Sequence, residues 1–206
     1  MRYHPKTLAG ISLAACLVLA GCQAPVETTT LDKDLGEADL KSFAVGSTWL
    51  GLRNGEEHTS AIIAKAGGEV TIENSRGCSY TRDQNIFAPS TSFANCNGNT
   101  GTQTISQVEG EIWPLKLGKS QSWSLTGKNR AGDNWETTRR CEVESVERVS
   151  VPAGEFDTYK VVCRDSWRTR TWYYAPSANS TVLFVNQHRK RNSTTKWELV
   201  SSEIKQ

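Results

Sequence analysis

Residues 141–163 read CEVESVERVSVPAGEFDTYKVVC, and this stretch decides the fold. Val151-Pro152-Ala153-Gly154 is a turn signal, because proline holds its second position and glycine its fourth. The pairs 141/163 and 149/155 share residue 152 as their midpoint, so a hairpin folded there sets Cys141 nearly opposite Cys163. Directly opposed residues lie about 4.5–5.5 Å apart at Cα, a distance that a disulfide spans. We therefore predict an antiparallel hairpin closed by a Cys141–Cys163 disulfide.

The other cysteines agree with this pairing. Cys16 and Cys22 lie near the N-terminus, which leaves four of the six cysteines for the rest of the chain. An even number in an exported protein indicates disulfides, and four cysteines allow three pairings. The hairpin favours the pairing that leaves Cys78 with Cys96. The spacing C-x-x-C does not occur, so a zinc or thiol-redox site is the weaker interpretation.

Strand signals continue on both sides of the hairpin. Two short apolar runs, 61–64 and 70–72, flank Gly67-Gly68 and predict a second hairpin. Nine or ten strands joined by polar turns indicate an all-β domain built on one antiparallel curved sheet: a half-barrel, a barrel or a sandwich. We place this domain at residues 45–206, with both disulfides inside it. Alternating residues share one face of a strand, as Tyr159, Val161 and Cys163 do, and as Arg168, Arg170, Trp172 and Tyr174 do.

The N-terminus reads as an export signal. Arg2 and Lys6 precede an apolar run, 8–20, that is too short to span a membrane. Leu19-Ala20-Gly21-Cys22 resembles the lipobox of bacterial lipoproteins. The resemblance implies removal of residues 1–21 and acylation of Cys22, for example with palmitate, and Gln23 after the cysteine implies the outer membrane. The alternative is an ordinary signal peptide cleaved elsewhere. Residues 22–44 contain Pro25 and few large apolar residues, so we expect a flexible tether there.

A second resemblance covers about a quarter of the chain, within residues 141–190. The turn from Val151 to Phe156 and the later segment Thr171-Trp172-Tyr173-Tyr174-Ala175-Pro176 are similar to the uncharacterised envelope family DUF3108. Its members carry a Val-Pro-Ala-Gly-x-Phe turn and an aromatic-Ala-Pro motif. Ser177-Ala178-Asn179 replaces their glycine-rich turn. The resemblance implies a curved antiparallel sheet and supplies no catalytic residues.

Composition excludes some functions and weakens others. Removal of residues 1–21 takes two of the 24 basic residues and none of the 22 acidic ones, which leaves a formal net charge of zero. A net charge this close to zero argues against nucleic acid as a partner. Beyond the leader the histidines are His58 and His188, and no catalytic or phosphate-binding motif is present. We therefore expect no enzymatic activity, no metal and no cofactor.

Aromatic and basic residues are the remaining functional signal. Seven tryptophans in a domain of this size are typical of core packing, and Arg189-Lys190-Arg191 is typical of a solvated turn. A binding interpretation joins that turn to Arg168, Arg170 and Trp172 as a surface for an anionic envelope glycolipid or glycan, or for an envelope protein. The sequence thus predicts a lipid-anchored, non-enzymatic binding or assembly module. A periplasmic carrier of a lipid or small apolar ligand in a β half-barrel cavity is the first alternative, and an envelope enzyme is the second.

Overall fold

Thirteen antiparallel strands account for most of residues 27–205, the part of the chain that this computed structural model describes. The predicted signal peptide and Cys22 lie outside it. The described residues contain two short 3₁₀ turns, Pro176–Ala178 and Arg189–Arg191, and none of their helices is long and apolar enough to cross a membrane. The all-β prediction is confirmed. The strands are β1 Thr28–Thr30, β2 Thr48–Arg53, β3 Glu56–Ala66, β4 Glu69–Asn74, β5 Ser79–Asp83, β6 Ser90–Cys96, β7 Asn99–Gly110, β8 Ser120–Asn129, β9 Asn134–Val151, β10 Gly154–Arg164, β11 Arg168–Ala175, β12 Ser180–His188 and β13 Ser193–Glu203.

The sheet closes on itself. Each strand from β2 to β13 pairs with its neighbours along the chain, and β13 also pairs with β2. Twelve strands therefore form a closed antiparallel barrel, in which every strand has two partners and no edge is left open. β1 lies outside this ring and pairs with the C-terminal half of β9. Of the half-barrel, the barrel and the sandwich that the sequence left open, the structure shows the closed barrel.

The two ends of the barrel differ in how the strands are joined. At one end, which we call the turn end, the connections are mostly short: they run from β2 to β3, β4 to β5, β6 to β7, β8 to β9, β10 to β11 and β12 to β13. At the other end, the strap end, the longer segments 84–89 and 111–119 occur, together with residues 31–44, which we call the strap.

The central hairpin forms as predicted, with one correction. Cys141 is directly opposite Cys163, and the disulfides Cys141–Cys163 and Cys78–Cys96 are both present. Near the turn, however, Val149 pairs with Phe156 and not with residue 155. A bulge where the register shifts, next to Lys160, accommodates the one-residue difference. The cysteines therefore meet because the bulge restores the register that the sequence midpoint indicated.

Apolar side chains fill the strap half of the barrel. Phe87, Ile112 and Leu115 come from the strap-end loops and have no exposed surface. The ring of Trp113 stacks on Phe87 at 5.4 Å between centroids and meets Tyr174 edge-on at 5.2 Å. These side chains pack with the Cys141–Cys163 disulfide into one cluster, so the loops form a plug inside this half of the barrel.

The expectation of a flexible tether is wrong for residues 28–44. Thr28 to Thr30 form β1, and Leu31 donates its backbone N–H to the carbonyl of Val146. Ala38 exchanges two backbone hydrogen bonds with Leu115, at 3.2 and 2.8 Å, and Phe43 is buried. The segment has few large apolar residues, but backbone hydrogen bonds to β9 and to the plug hold it at residues 28–31 and at Ala38.

Candidate functional site

Rows of directly opposed residues show which side chains enter the barrel. Row one runs from β9 to β13 through Val143, Val161, Trp172, Phe184 and Trp197, and row two runs through Cys141, Cys163, Arg170, Asn186 and Thr195. Opposed residues project to the same face of a sheet. That face is the interior, because the disulfide sulfurs are fully buried and the Trp172 ring lies 5.7 Å from Phe87 of the plug. Arg168, two residues before Arg170, continues the same face toward the turn end.

An ion pair occupies this part of the interior. Nη1 of Arg170 donates to Oδ2 of Asp165 at 2.5 Å, and the two side chains are only 12% and 4% exposed. Oδ1 of Asp165 accepts the backbone N–H groups of Trp167 and Arg168, at 2.9 and 2.8 Å. Burial alone would raise the pKa of Asp165, but the charge of Arg170 and these hydrogen bonds hold that pKa below its ordinary value. Asp165 is therefore ionised at neutral pH. Its carboxylate binds both the backbone of the β10–β11 turn and the guanidinium of Arg170.

Arg139 is a second interior arginine, and it has no ion-pair partner among the described residues. Its Nη1 atom donates to the carbonyl of Phe87 at 3.3 Å, while its buried Nε atom has no hydrogen-bond partner within residues 27–205. Burial and the neighbouring charges of Arg170 and Arg168, opposed by Asp165, lower the pKa of Arg139 to about 9. A guanidinium keeps its proton in proteins, so the shift represents a free-energy cost to the folded state rather than a titration.

Arg168 completes the group that we call the arginine cluster: Arg139, Arg168 and Arg170. Burial, followed by repulsion from Arg170, lowers the pKa of Arg168, and Arg191 adds to the effect. Asp165 is the carboxylate that pairs with this cluster, so the side chains carry an excess of positive charge in a partly desolvated place. Such an excess is unfavourable unless an anion neutralises it. The arrangement can therefore bind a carboxylate, phosphate or sulfate group.

The turn Arg189–Arg191 lies at the rim beside this cluster. Arg189 donates its backbone N–H to Trp167 at 2.9 Å, and its guanidinium contacts the carbonyl of Asp165 and, at 3.3 Å, the hydroxyl of Thr169. Arg189 therefore fastens the β12–β13 turn to the β10–β11 turn. Lys190 and Arg191 are exposed and face solvent.

The structure brings the predicted binding residues to one end of the barrel, but not onto one exposed surface. Arg168, Arg170 and Trp172 share a strand face, as expected, and that face points inward. Trp172 is held between Phe87 and Phe184, at ring-centroid distances of 5.7 and 4.9 Å, so it is not a free stacking platform. The expectation of an open Arg-Trp surface is wrong because the sheet closes. Arg139 and Asp165 were not among the predicted binding residues, although each shares its strand parity with a cysteine of the disulfide.

More basic and aromatic side chains face the interior near the turn end. Arg53 is directly opposite Trp197, and burial followed by repulsion from Arg53 and Arg76 lowers the pKa of His58. Trp197 and Trp135 are partly exposed and lie flat against the backbone of a facing glycine: a Cβ at Gly51 or Gly127 would come within 2.3 or 2.2 Å of the ring. Two partly exposed tryptophan rings therefore face the same interior as the arginine cluster.

Two grooves of about 590 and 580 Å³ run along the strands, and Trp135 is among the residues that line the second one. The first is bordered by β2, β3, β4 and β13, the second by β7, β8 and β9, and neither contains an arginine. Most of their lining side chains, such as Ile63 and Thr126, have the opposite strand parity from the interior rows. The strap half of the interior is occupied by the plug. The carrier hypothesis, which needs an apolar cavity inside the sheet, gains no support from these features.

No protein-family model and no curated protein sequence matches the chain, so the similarity to DUF3108 rests on the motifs alone. Among solved structures, the chain is similar to a protein from Bacteroides fragilis described as exported and as having a YmcC-like fold, with 12% identity, a TM-score of 0.42, and coverage of 81% of this chain and 99% of that one. It is also similar to the hypothetical lipoprotein YmcC from Escherichia coli, with 6% identity, a TM-score of 0.47, and coverage of 79% and 86%.

Proposed function

We propose that the protein is an outer-membrane lipoprotein whose barrel binds an anionic envelope component at its turn end and performs no catalysis. The lipobox-like Leu19–Cys22 motif supports the anchor. One observation supports the binding role above all others: three arginines converge inside the barrel around one paired carboxylate, and Arg139 keeps a buried, unpartnered Nε atom among the described residues.

The neighbourhood of the cluster indicates what the ligand looks like. The charge requires an acidic group, and planar guanidinium groups bind carboxylate and phosphate in a bidentate manner. The partly exposed rings of Trp135 and Trp197 provide apolar surface on the same interior face of the sheet. An acidic glycan, or the headgroup of an anionic glycolipid, has both an acidic group and ring faces that could lie on these aromatics.

A thermal-shift measurement on the Cys22→Ser protein, which lacks the anchor, tests this function. The probe is polygalacturonate, and dextran is the uncharged control. A ligand that binds the folded state alone raises the melting temperature, so polygalacturonate should raise it and dextran should not. The increase should shrink as salt rises, because the screening length falls from about 10 Å at 0.1 M to about 3 Å at 1 M. Equal effects of both polymers, or none, would refute anion binding.

A further inference from the structure

The N-terminal strand determines which end of the barrel lies beside the anchor. β1 is antiparallel to β9, with Thr28 opposite Val149 and Thr30 opposite Glu147. The chain therefore reaches the barrel near the tip of the β9–β10 hairpin and continues as the strap. Asp157, on the same hairpin, pairs with Lys33 of the strap at 2.5 Å. This entry point belongs to the strap end, and Arg139 of the arginine cluster lies ten residues from Val149 along β9, toward the turn end.

The chain length between the acylation site and the barrel is short. From Cys22 to Thr28 the backbone spans at most about 20 Å, even when fully extended. Along β9, the backbone from Val149 to Asn134 is about 50 Å long at the usual rise per residue. An acyl chain on Cys22 would therefore hold the strap end close to the lipid headgroups, while the turn end lies at the far end of the longest strand.

Exposed apolar side chains support the same orientation independently. The large apolar residues that are exposed within residues 27–205 are Leu40, Val45, Ile63, Val108 and Leu117. Leu40 belongs to the strap, Val45 follows it directly, and Leu117 belongs to the plug loop 111–119. Ile63 and Val108 lie near the strap-end tips of β3 and β7. Exposed residues at the turn end include Arg76, Arg130 and Lys190, and none of the five exposed large apolar residues lies there. This distribution favours the strap end over the turn end for contact with lipid.

We infer that the strap end of the barrel rests on the surface of the membrane that holds the anchor, with Leu40, Val45 and Leu117 against the lipid, and that the arginine cluster faces away from it. This inference rests on the acylation of Cys22 in the proposed function. The orientation also narrows the class of ligand in the proposed function. A site at the distal end meets soluble or polymeric anions on the aqueous side, whereas a glycolipid headgroup of the anchoring leaflet would lie at the wrong end.

Hydrogen–deuterium exchange of the acylated full chain tests the orientation. The protein is reconstituted in vesicles of phosphatidylethanolamine and phosphatidylglycerol and compared with the Cys22→Ser protein in solution. We expect slower exchange in residues 37–46 and 111–119 on the vesicles, and unchanged exchange in residues 164–169 and 188–193. Slower exchange at the turn end, or no change at either end, would overturn the inference.

A matched pair of variants identifies the side chains responsible. Leu40→Ser/Val45→Ser/Leu117→Ser removes exposed apolar groups, so the protein should fold normally and lose the protection at the strap end while staying on the vesicles. Lys190→Ser/Arg191→Ser is the control and should keep that protection. Retention of full protection in the triple variant would contradict the proposed contact. Mass measurement of acylation is a separate readout: an unacylated Cys22 refutes the anchor itself, whereas an acylated chain without strap-end protection refutes the orientation alone.

Discussion

Arg170 and Asp165 form an ion pair inside the barrel, 2.5 Å apart, with little of either side chain exposed. The pair joins the β10–β11 turn to the inner wall and offsets one of the three charges in the arginine cluster. The other two arginines have no carboxylate of their own within hydrogen-bond distance among the described residues. The pair is therefore both a structural fastening and the reason that the cluster retains an excess of positive charge.

Asp165→Asn should destabilise the protein by about 3 kcal/mol, because it leaves Arg170 buried without its partner. The pKa of Asp165 is lower in the folded than in the unfolded state, so its stabilisation is present above about pH 4 and is lost as pH falls through the folded pKa. Urea unfolding of both proteins between acidic and neutral pH measures this. We expect the difference to shrink toward low pH. If the difference in the free energy of unfolding were constant with pH, the negative charge of Asp165 would not be the source of its stabilisation.

Substitutions in the rim turn should separate binding from stability. Lys190→Ser/Arg191→Ser removes two exposed charges, so we expect the melting temperature to stay within measurement error and the affinity for polygalacturonate to fall. Arg189→Ser removes contacts to the β10–β11 turn and should lower the melting temperature instead. Affinity unchanged in the double variant would leave Lys190 and Arg191 as solvated turn residues without a role in binding.

The two disulfides should respond differently to reductant. Cys141 and Cys163 have no exposed surface, whereas Cys78 and Cys96 are partly exposed. A thiol reagent under native conditions should therefore open Cys78–Cys96 first. Loss of either bridge should cost about 2–5 kcal/mol, as is usual in small exported domains. Alkylation followed by peptide mapping gives the order, and earlier release of Cys141 would contradict the burial of that pair.

Much of this fold follows from local sequence. Pro152, Gly154 and the spacing of Cys141 and Cys163 predicted the central hairpin, and strand parity grouped Arg168 with Arg170 and Trp172. Closure of the barrel could not be predicted from the sequence, because it depends on pairing between β13 and β2, which lie far apart in the chain. Without closure, an inward face could not be told from an outward one, and Arg139 and Asp165 on neighbouring strands could not be placed near Arg170. The strap shows the same limit, since contacts such as that of Lys33 with Asp157 join residues far apart in the chain.

The anchor has its own test in the cell. Cys22→Ser should abolish incorporation of labelled fatty acid and leave the protein as an uncleaved precursor or in soluble form. Burial of acyl chains contributes about 0.8 kcal/mol per CH₂, so two or more chains hold the wild-type protein on the membrane stably. Labelling that persists in the variant would place the lipid elsewhere or show that the lipobox resemblance is incidental.

The central claim is that the arginine cluster binds an anion, and a calorimetric titration of Arg139→Met with polygalacturonate tests it most directly. Arg140→Ser, the adjacent residue on the exposed face of β9, is the matched control. Because the Nε atom of Arg139 is buried and has no partner among the described residues, Arg139→Met should weaken binding by about tenfold or more, as expected for the loss of a charge-assisted hydrogen bond, without lowering the melting temperature. Arg140→Ser should bind like the wild type. Full affinity in Arg139→Met, or a large loss of stability with affinity intact, would contradict the claim and assign the cluster a purely structural role.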